Sequence, residues 1–163
     1  MKNTLLAALL LAPLPAIAQP APAQQLFTAG ADIPAVIAKA KAQQKSPGIN
    51  SVVPVAVDGP YRVLLEYRTG LTPPTVHHGQ AELVTVVQGN ATLVMGGHLT
   101  GVQPPRPGAT TDTGTGIEGT DRRFALSKGD IVLVPTDTAH QFQDVKGEFV
   151  IISTHMFMPG ESR

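Results

Sequence analysis

Two adjacent histidines, His77 and His78, stand shortly before Glu82 at the start of an apolar run. Imidazole and carboxylate groups are the side chains that bind divalent metals in a protein without cysteine. In one straight strand Glu82 would lie about 13 Å from His78, at about 3.3 Å per residue. One ion cannot bind groups so far apart, so the chain must turn between the histidines and the glutamate.

The turn is expected at Gly79-Gln80, because a glycine suits the first position of a type II′ hairpin loop. A two-residue loop at this point sets His77 opposite Glu82, with Cβ atoms roughly 5 Å apart on one face. His78 would then face the other side. A three-residue loop or a bulge would reverse the choice, so His78 stays the alternative ligand.

His140 is the candidate for a third ligand. It follows the apolar run DIVLVP and a polar turn, and Phe142 comes two residues later. Residues two apart share one face of a strand, so the imidazole and the aromatic ring are expected to line one pocket. Two histidines and a carboxylate form a facial triad, which suits one divalent iron or manganese ion and can also hold zinc, nickel or copper.

Other polar residues offer further candidates. His98 and His155 could each supply an additional ligand, although both are typical of ordinary surface or core positions. Arg122 and Arg123 follow Asp121 and are expected to form a solvated charge cluster. The alternative is that one of these arginines binds the carboxylate of a substrate.

The composition limits the classes of function. The chain has 163 residues with 12 basic and 12 acidic side chains, so no excess of charge favours binding to nucleic acid or to an anionic membrane. It has no cysteine, which excludes disulfides, thiolate nucleophiles and thiolate-bound metals. Hydrophobic residues make up 42% of the chain, which predicts one compact domain.

The first eighteen residues, MKNTLLAALLLAPLPAIA, are typical of a secretory signal peptide. A lysine precedes the apolar run, and residues 16–18 form a small-x-small cleavage pattern. Two prolines interrupt the run, which is short for a membrane span. We expect cleavage after Ala18, a flexible segment over residues 19–28, no membrane span in the mature chain, and a periplasmic or secreted protein.

A single domain is expected over residues 29–163. Its first element is a short amphipathic helix that Asp32 caps, with Pro34 in the first turn and an apolar stripe that includes Val36 and Ala40. Seven β-rich runs separated by turn residues follow, which predicts an all-β sandwich or barrel. The runs are SVVPVAV, YRVLLEYRT, AELVTVVQG, ATLVMGG, RFALSKGDIVLVP, AHQFQDV and EFVIISTHMFM.

Two turns and one long insertion separate these runs. Gly89-Asn90 has the residues of a two-residue hairpin loop, and residues 128–130, Lys-Gly-Asp, are expected to form a second turn. Residues 97–121 are rich in Gly, Pro and Thr and are expected to form a long surface loop. A loop of this length is a lid, a binding loop or a plain insertion.

The histidine and glutamate spacing resembles two motifs of the cupin superfamily. Glu82, six residues and Gly89 match the second half of the first motif, and either His77 or His78 matches its second histidine. The first histidine of that motif falls on Thr75 or Val76 in this chain, and neither is a good metal ligand.

The second motif is matched by Gly129, Pro135 and His140, with Asp137 in place of a glycine and Asp144 in place of an asparagine. The resemblance covers roughly residues 60–157, and the chain also looks like a group of small exported bacterial cupins with one domain. It implies a double-stranded β-helix, or jelly-roll, barrel with a short N-terminal α-helix. It also implies a homodimer as one candidate assembly.

The resemblance leaves two functions open. In the first, one divalent metal ion (Fe, Mn, Zn or Ni) binds at the barrel mouth through His77, Glu82 and His140, with His78 as the alternative. A small organic ligand binds beside the metal, and the protein is a metal-dependent oxidoreductase or isomerase. In the second, the barrel binds or sequesters a small molecule without metal and without catalysis.

Overall fold

This computed structural model describes residues 24–103 and 108–157, which contain one short helix and twelve strands. The predicted signal peptide and residues 19–23 lie outside the described residues. One 3-10 turn, Gly30–Asp32, precedes the helix α1, Ile33–Gln43. The strands are β1 Ser51–Asp58, β2 Tyr61–Arg68, β3 Thr75–His77, β4 Gln80–Gln88, β5 Ala91–Met95, β6 His98–Thr100, β7 Thr111–Thr113, β8 Gly116–Glu118, β9 Arg122–Leu126, β10 Ile131–Val134, β11 His140–Gln143 and β12 Phe149–Phe157.

Ten of the twelve described strands form two antiparallel five-stranded sheets that enclose the interior of a barrel. The first sheet has the order β1-β2-β12-β4-β10, and the second has the order β7-β3-β11-β5-β9. Buried side chains from both sheets pack together inside, among them Val84 and Ile151 of the first sheet and Leu93 and Phe142 of the second. The prediction of an all-β jelly-roll barrel with a short helix is confirmed.

The helix covers the outer face of the first sheet. Its apolar stripe packs on a cluster that includes Val53, Leu65 and Tyr67, with Ala40 fully buried at the contact. The predicted stripe is therefore confirmed, although the Asp32 side chain makes no capping hydrogen bond. No helix among the described residues is long and apolar enough to cross a membrane.

Short turns carry the chain from one sheet to the other. The turn after β3 falls at His78 and Gly79, and β3 belongs to the second sheet whereas β4 belongs to the first. The predicted hairpin at Gly79-Gln80 is therefore wrong, because the strands on its two sides do not pair. The hairpin predicted at Gly89-Asn90 is wrong for the same reason, since β4 and β5 also join different sheets.

Gly89 shows why the crossing needs a glycine. Its φ angle is +82°, and a Cβ atom at this position would lie 2.0 Å from the carbonyl oxygen of Glu148. Any other residue would collide with that backbone and would be strained in this conformation. The glycine of the first motif therefore allows β4 to end against the loop that precedes β12.

The segment predicted as a long loop, residues 97–121, contains three short strands in its described part. β6 and β8 pair with each other in a separate two-stranded sheet, and β7 extends the second sheet beside β3. These strands lie at sheet edges, where pairing needs few apolar side chains. The composition of the segment therefore predicted the absence of core strands but missed the edge strands.

Two aspartates with positive φ angles lie on either side of β11. Asp137 has φ 55° and Asp144 has φ 52°, and they occupy the positions where the second cupin motif has glycine and asparagine. Aspartate tolerates this left-handed region better than most residues. The tight turns that fix the two ends of β11, and with them His140, are thus kept despite both substitutions.

Candidate metal centre

The inward face of β4 supplies the carboxylate at the centre of the site. Burial alternates along the strand, and Glu82 is buried on the face that Val84 and Val86 share. In the sheet register Glu82 pairs with His155 of β12 on one side and with Val134 of β10 on the other. A carboxylate with only 3% of its surface exposed therefore lies inside the barrel.

Three residues predicted as metal ligands meet inside the barrel. Nε2 of His140 lies 3.2 Å from Oε2 of Glu82, and Nε2 of His77 lies 3.6 Å from the same oxygen. The two imidazole rings are 5.2 Å apart. The predicted pairing of His77 with Glu82 is therefore present, but it arises across the barrel between two sheets and not within a hairpin.

One oxygen of the Glu82 carboxylate lacks a hydrogen-bond partner in the described part of the protein. Its Oε2 is buried and has no hydrogen-bond partner of good geometry among the described residues. Burial alone would raise the pKa of this carboxyl, but its contacts with His140 and His77 outweigh burial and hold the pKa well below the usual range. The group is therefore a buried anion that faces imidazole nitrogens.

The histidine tautomers direct electron pairs at this anion. Nδ1 of His140 lies 3.0 Å from the carbonyl oxygen of Thr138, which can only accept, so Nδ1 donates. In the neutral ring Nε2 then carries a lone pair, and it faces Oε2 of Glu82. Nδ1 of His77 lies 2.9 Å from Oγ1 of Thr111, which can accept in the same way. When His77 has the same tautomer, two lone pairs and a carboxylate lie this close together, and a cation, either a proton or a metal ion, must lie between them.

The distances suit a metal ion. Bonds of about 2.0–2.2 Å to one ion hold neighbouring ligand atoms roughly 3 to 3.6 Å apart. The two nitrogen-to-oxygen distances at Glu82 fall in this range, and the ligand atoms of His77, Glu82 and His140 all lie within 4.8 Å of one another. The residues present therefore fit a facial triad with open coordination positions.

His155 is a fourth polar side chain at the site. Its Nε2 lies 3.9 Å from Oε1 of Glu82, and its ring is 4.4 Å from the ring of His77. Nδ1 contacts Oε1 of Gln80 at 3.2 Å. Burial, the largest cause, lowers the pKa of His155, which favours the neutral form that binds metals.

The sequence contained a signal for this position. His155 has the same strand parity as the buried residues Phe149 and Ile151, so an inward orientation was predictable. Its pairing with Glu82 was not, because it depends on the register between strands far apart in the chain. Thr75 stands where the first motif would have a histidine. Its side chain also lies at the site, with Oγ1 3.3 Å from Nε2 of His140.

His78, the alternative ligand, is not brought to the carboxylate. Consecutive side chains of an extended chain point to opposite faces, and His78 points outward and is half exposed. Nε2 and Nδ1 contact carboxylates of Asp112 at 3.0 Å and Asp137 at 2.8 Å, and these hydrogen bonds raise the pKa of His78, with Asp112 the larger cause. Both nitrogens are therefore occupied as donors.

The remaining candidates lie elsewhere. His98 is exposed at the start of β6. Arg123 donates to Asp144 at 2.7 Å, Arg122 contacts Asp121 at 3.4 Å, and both pairs are open to solvent. The expected solvated charge cluster therefore matches the structure, and neither arginine lines the cavity at Glu82.

A cavity of about 530 Å³ opens beside the candidate metal centre. His77, Glu82, His140 and His155 form one part of its lining. Glu66 and Arg68 of β2, Phe142 of β11 and the loop residues Ile49 and Pro73 form much of the rest. The volume is enough for a small organic molecule that contacts both the histidine cluster and an apolar wall.

No protein-family model matches this sequence, and no curated protein matches it. The fold is nevertheless similar to that of solved proteins. A hydroquinone 1,2-dioxygenase in complex with Cd²⁺ and 4-hydroxybenzonitrile aligns with 73% of this chain and 70% of its own, at 21% identity and a TM-score of 0.54. At these identities the likeness concerns the fold alone.

Two further solved proteins have similar structures. A putative mannose-6-phosphate isomerase from Ralstonia eutropha aligns with 70% of this chain and 89% of its own, at 18% identity and a TM-score of 0.50. A cupin superfamily protein from Desulfitobacterium hafniense aligns with 73% of this chain and 87% of its own, at 13% identity and a TM-score of 0.49.

Proposed function

We propose that this chain, which has the fold of the cupin superfamily, binds one divalent metal ion through His77, Glu82 and His140 and a small organic ligand in the adjoining cavity. The observation that carries the proposal is the buried Glu82 oxygen, which has no good hydrogen-bond partner and faces two imidazole nitrogens. A buried anion of this kind is costly unless a cation balances it.

Each proposed ligand is held by the protein in the orientation that metal binding needs. The Thr138 carbonyl holds the Nδ1 proton of His140, and Thr111 contacts Nδ1 of His77. The Thr138 carbonyl leaves Nε2 of His140 as the free base, and the Thr111 hydroxyl allows the same tautomer of His77. His155 stands at the other oxygen of Glu82, where it can supply a further ligand or hold a proton.

The bound metal would supply Lewis-acid polarisation of a ligand oxygen. The chain would bind the body of the ligand against Phe142 and Pro73 and would limit the access of water to the buried carboxylate. We propose an oxidoreductase or isomerase reaction. The dioxygenase bound to Cd²⁺ and the putative isomerase, which have similar folds, support these two reaction classes as candidates and supply no substrate.

The types of ligand atom limit which metal ions can bind at this site. Two imidazoles and one carboxylate with open positions suit divalent iron or manganese, and zinc or nickel also bind such groups. No sulfur ligand is available, since the chain has no cysteine. We therefore propose Fe, Mn, Zn or Ni.

Elemental analysis of protein purified without a His tag tests the metal site. We expect about one equivalent of divalent metal per chain, which is lost in His140→Ala and in His77→Ala. His78→Ala is the matched control, because His78 is adjacent in sequence but contacts Asp112 and Asp137 instead of Glu82. Equal loss in His77→Ala and His78→Ala would contradict the proposed ligand set.

The same purified protein also distinguishes the proposed metal function from the alternative, a binding module without metal. Protein that holds no metal after purification and after incubation with each of the four ions, yet binds a small molecule in the cavity, is a binding module without metal chemistry. The replacement of the first motif histidine by Thr75 or Val76 is the observation that favours this alternative.

We also propose that the protein works in the periplasm or outside the cell, on the strength of the N-terminal pattern. When the full chain is expressed in a bacterium, the mature protein is expected to begin at Gln19, as measured by intact mass. A mass that retains residues 1–18 in a soluble cytoplasmic fraction would contradict export. Association into a homodimer stays a prediction.

A further inference from the structure

Arg68 is a buried cation inside the barrel. It lies at the end of β2 and pairs in register with Phe149, so its side chain shares the inward face with Glu66. Only 8% of the side chain is exposed. Arginine is rarely buried to this extent without partners for its donors.

The hydrogen bonds of Arg68 are incomplete. Nη2 donates to Oε2 of Glu66 at 2.7 Å, but Nε and Nη1 are buried and have no hydrogen-bond partner within the part of the chain that the structure describes. Glu66 is better satisfied, because it also accepts from Asn50 at 2.8 Å and from Ser153 at 2.6 Å. The unmet hydrogen-bonding capacity of this pair therefore lies on the arginine.

Phe142 fixes the orientation of the guanidinium group. The Cζ atom of Arg68 lies 4.7 Å from the centre of the Phe142 ring, which is a cation–π contact. The same ring lies 6.5 Å from the ring of His140. Arg68 and the proposed metal ligands therefore line one cavity. Glu66 connects them, because its carboxylate also lies within 4.8 Å of the ligand atoms of Glu82 and His155.

We propose that Arg68 binds the carboxylate of a small organic monoanion, whose other polar end reaches the metal held by His77, Glu82 and His140. Guanidinium groups bind carboxylates through charge-assisted hydrogen bonds. This inference rests on the proposed metal function for its geometry. It names the class of ligand, a small carboxylic acid with an apolar body that packs against Phe142 and Pro73.

The charges in the cavity favour a single negative charge on the ligand. Arg68 and a divalent metal supply three positive charges, against two negative charges on Glu66 and Glu82. One net positive charge remains, and a monocarboxylate neutralises it. A phosphate group with two charges would leave the buried cavity negative, and burial of an unbalanced charge is costly.

The test measures binding of acetate and benzoate to the zinc-loaded protein by ligand-observed NMR and calorimetry, each against its neutral amide, acetamide or benzamide. We expect the carboxylates to bind more tightly than the amides. Arg68→Met is expected to weaken carboxylate binding roughly ten- to hundredfold. It should leave amide binding and zinc stoichiometry unchanged. Arg123→Met is the matched control, because Arg123 is an exposed arginine paired with Asp144.

Further variants keep the test decisive if Arg68→Met fails to fold. Glu66→Gln combined with Arg68→Met removes both charges of the pair, and Arg68→Lys keeps the positive charge beside Glu66 but loses the guanidinium geometry. Either folded variant should reduce the preference for carboxylate over amide. Wild-type protein that binds acetamide as tightly as acetate, or inorganic phosphate more tightly than both, would overturn the proposal.

Failure of this inference is distinguishable from failure of the proposed function. Protein that holds zinc but shows no carboxylate preference retains the metal site and refutes the role of Arg68. Protein that holds no metal but still prefers carboxylates in a manner that depends on Arg68 supports the anion site and refutes the metal function.

Discussion

The barrel interior has an apolar region and a polar region, and the same strands build both. On β4, Glu82 faces the cavity, whereas Val86 lies on the same face in the apolar core. On β12, His155 lines the cavity, whereas Ile151 lies in the core. One region is filled by packed side chains, and the other leaves about 530 Å³ open.

The difference between the two regions indicates that the apolar region stabilises the barrel and that the polar region provides the groups for chemistry. Burial of a large apolar side chain contributes about 1.5–3 kcal/mol, and the apolar region holds Leu93, Phe149 and Ile151 at no measurable exposure. The polar region instead buries unpartnered atoms of Arg68 and Glu82, which costs free energy. Stability should therefore depend on one region and metal binding on the other.

The largest expected effect comes from the apolar region. Leu93→Ala should lower the free energy of unfolding by about 2–5 kcal/mol, because it removes a fully buried side chain from the core cluster. Urea denaturation measures this loss. Leu133→Ala is the control, since Leu133 is half exposed on β10 and should cost roughly 0.5 kcal/mol or less. Loss of metal from folded Leu93→Ala protein would show that the two regions are not separable.

Metal binding in the polar region should add to the stability of the protein. At a free metal concentration about 100 times the Kd, binding should raise the free energy of unfolding by about 2.7 kcal/mol. Thermal unfolding with metal and with EDTA measures the difference.

Two variants test whether the metal-dependent stabilisation arises at Glu82. Glu82→Gln should abolish the metal-dependent stabilisation, because it removes the only carboxylate of the proposed ligand set. Glu118→Gln, at an exposed position on β8, should behave as wild type. Stabilisation by metal that survives Glu82→Gln would place the ion elsewhere.

The apolar region could be predicted from the sequence more fully than the polar one. The alternation of apolar and polar residues, together with the turn residues, predicted the strands β4, β5 and β12. The two motifs predicted His77, Glu82 and His140 as neighbours in one site. The order of the sheets could not be read in this way. The turn residues at Gly89 show that the chain reverses, but they do not determine whether the next strand pairs with the last one or crosses the barrel.

The residues that sequence reasoning undervalued depend on distant pairing. His155 meets Glu82 through the register between β12 and β4, and Arg68 is buried on the inward face of β2, where it pairs with Phe149 of β12. Arg122 and Arg123 were instead the arginines considered for ligand binding, because two adjacent arginines are conspicuous in a sequence. Burial, which separates Arg68 from them, is a property of the tertiary structure.

The smallest expected effect concerns a residue that contacts a proposed ligand without binding metal. Thr111→Val keeps the shape of the side chain but removes the hydroxyl that lies 2.9 Å from Nδ1 of His77. Loss of this contact should free the ring and its tautomer and weaken metal affinity roughly 10- to 100-fold, as measured by metal titration. Thr113→Val, on the same strand and also at the cavity, is the matched control, because no imidazole contacts its hydroxyl among the described residues. Equal affinities in the two variants would mean that Thr111 does not orient His77 for metal binding.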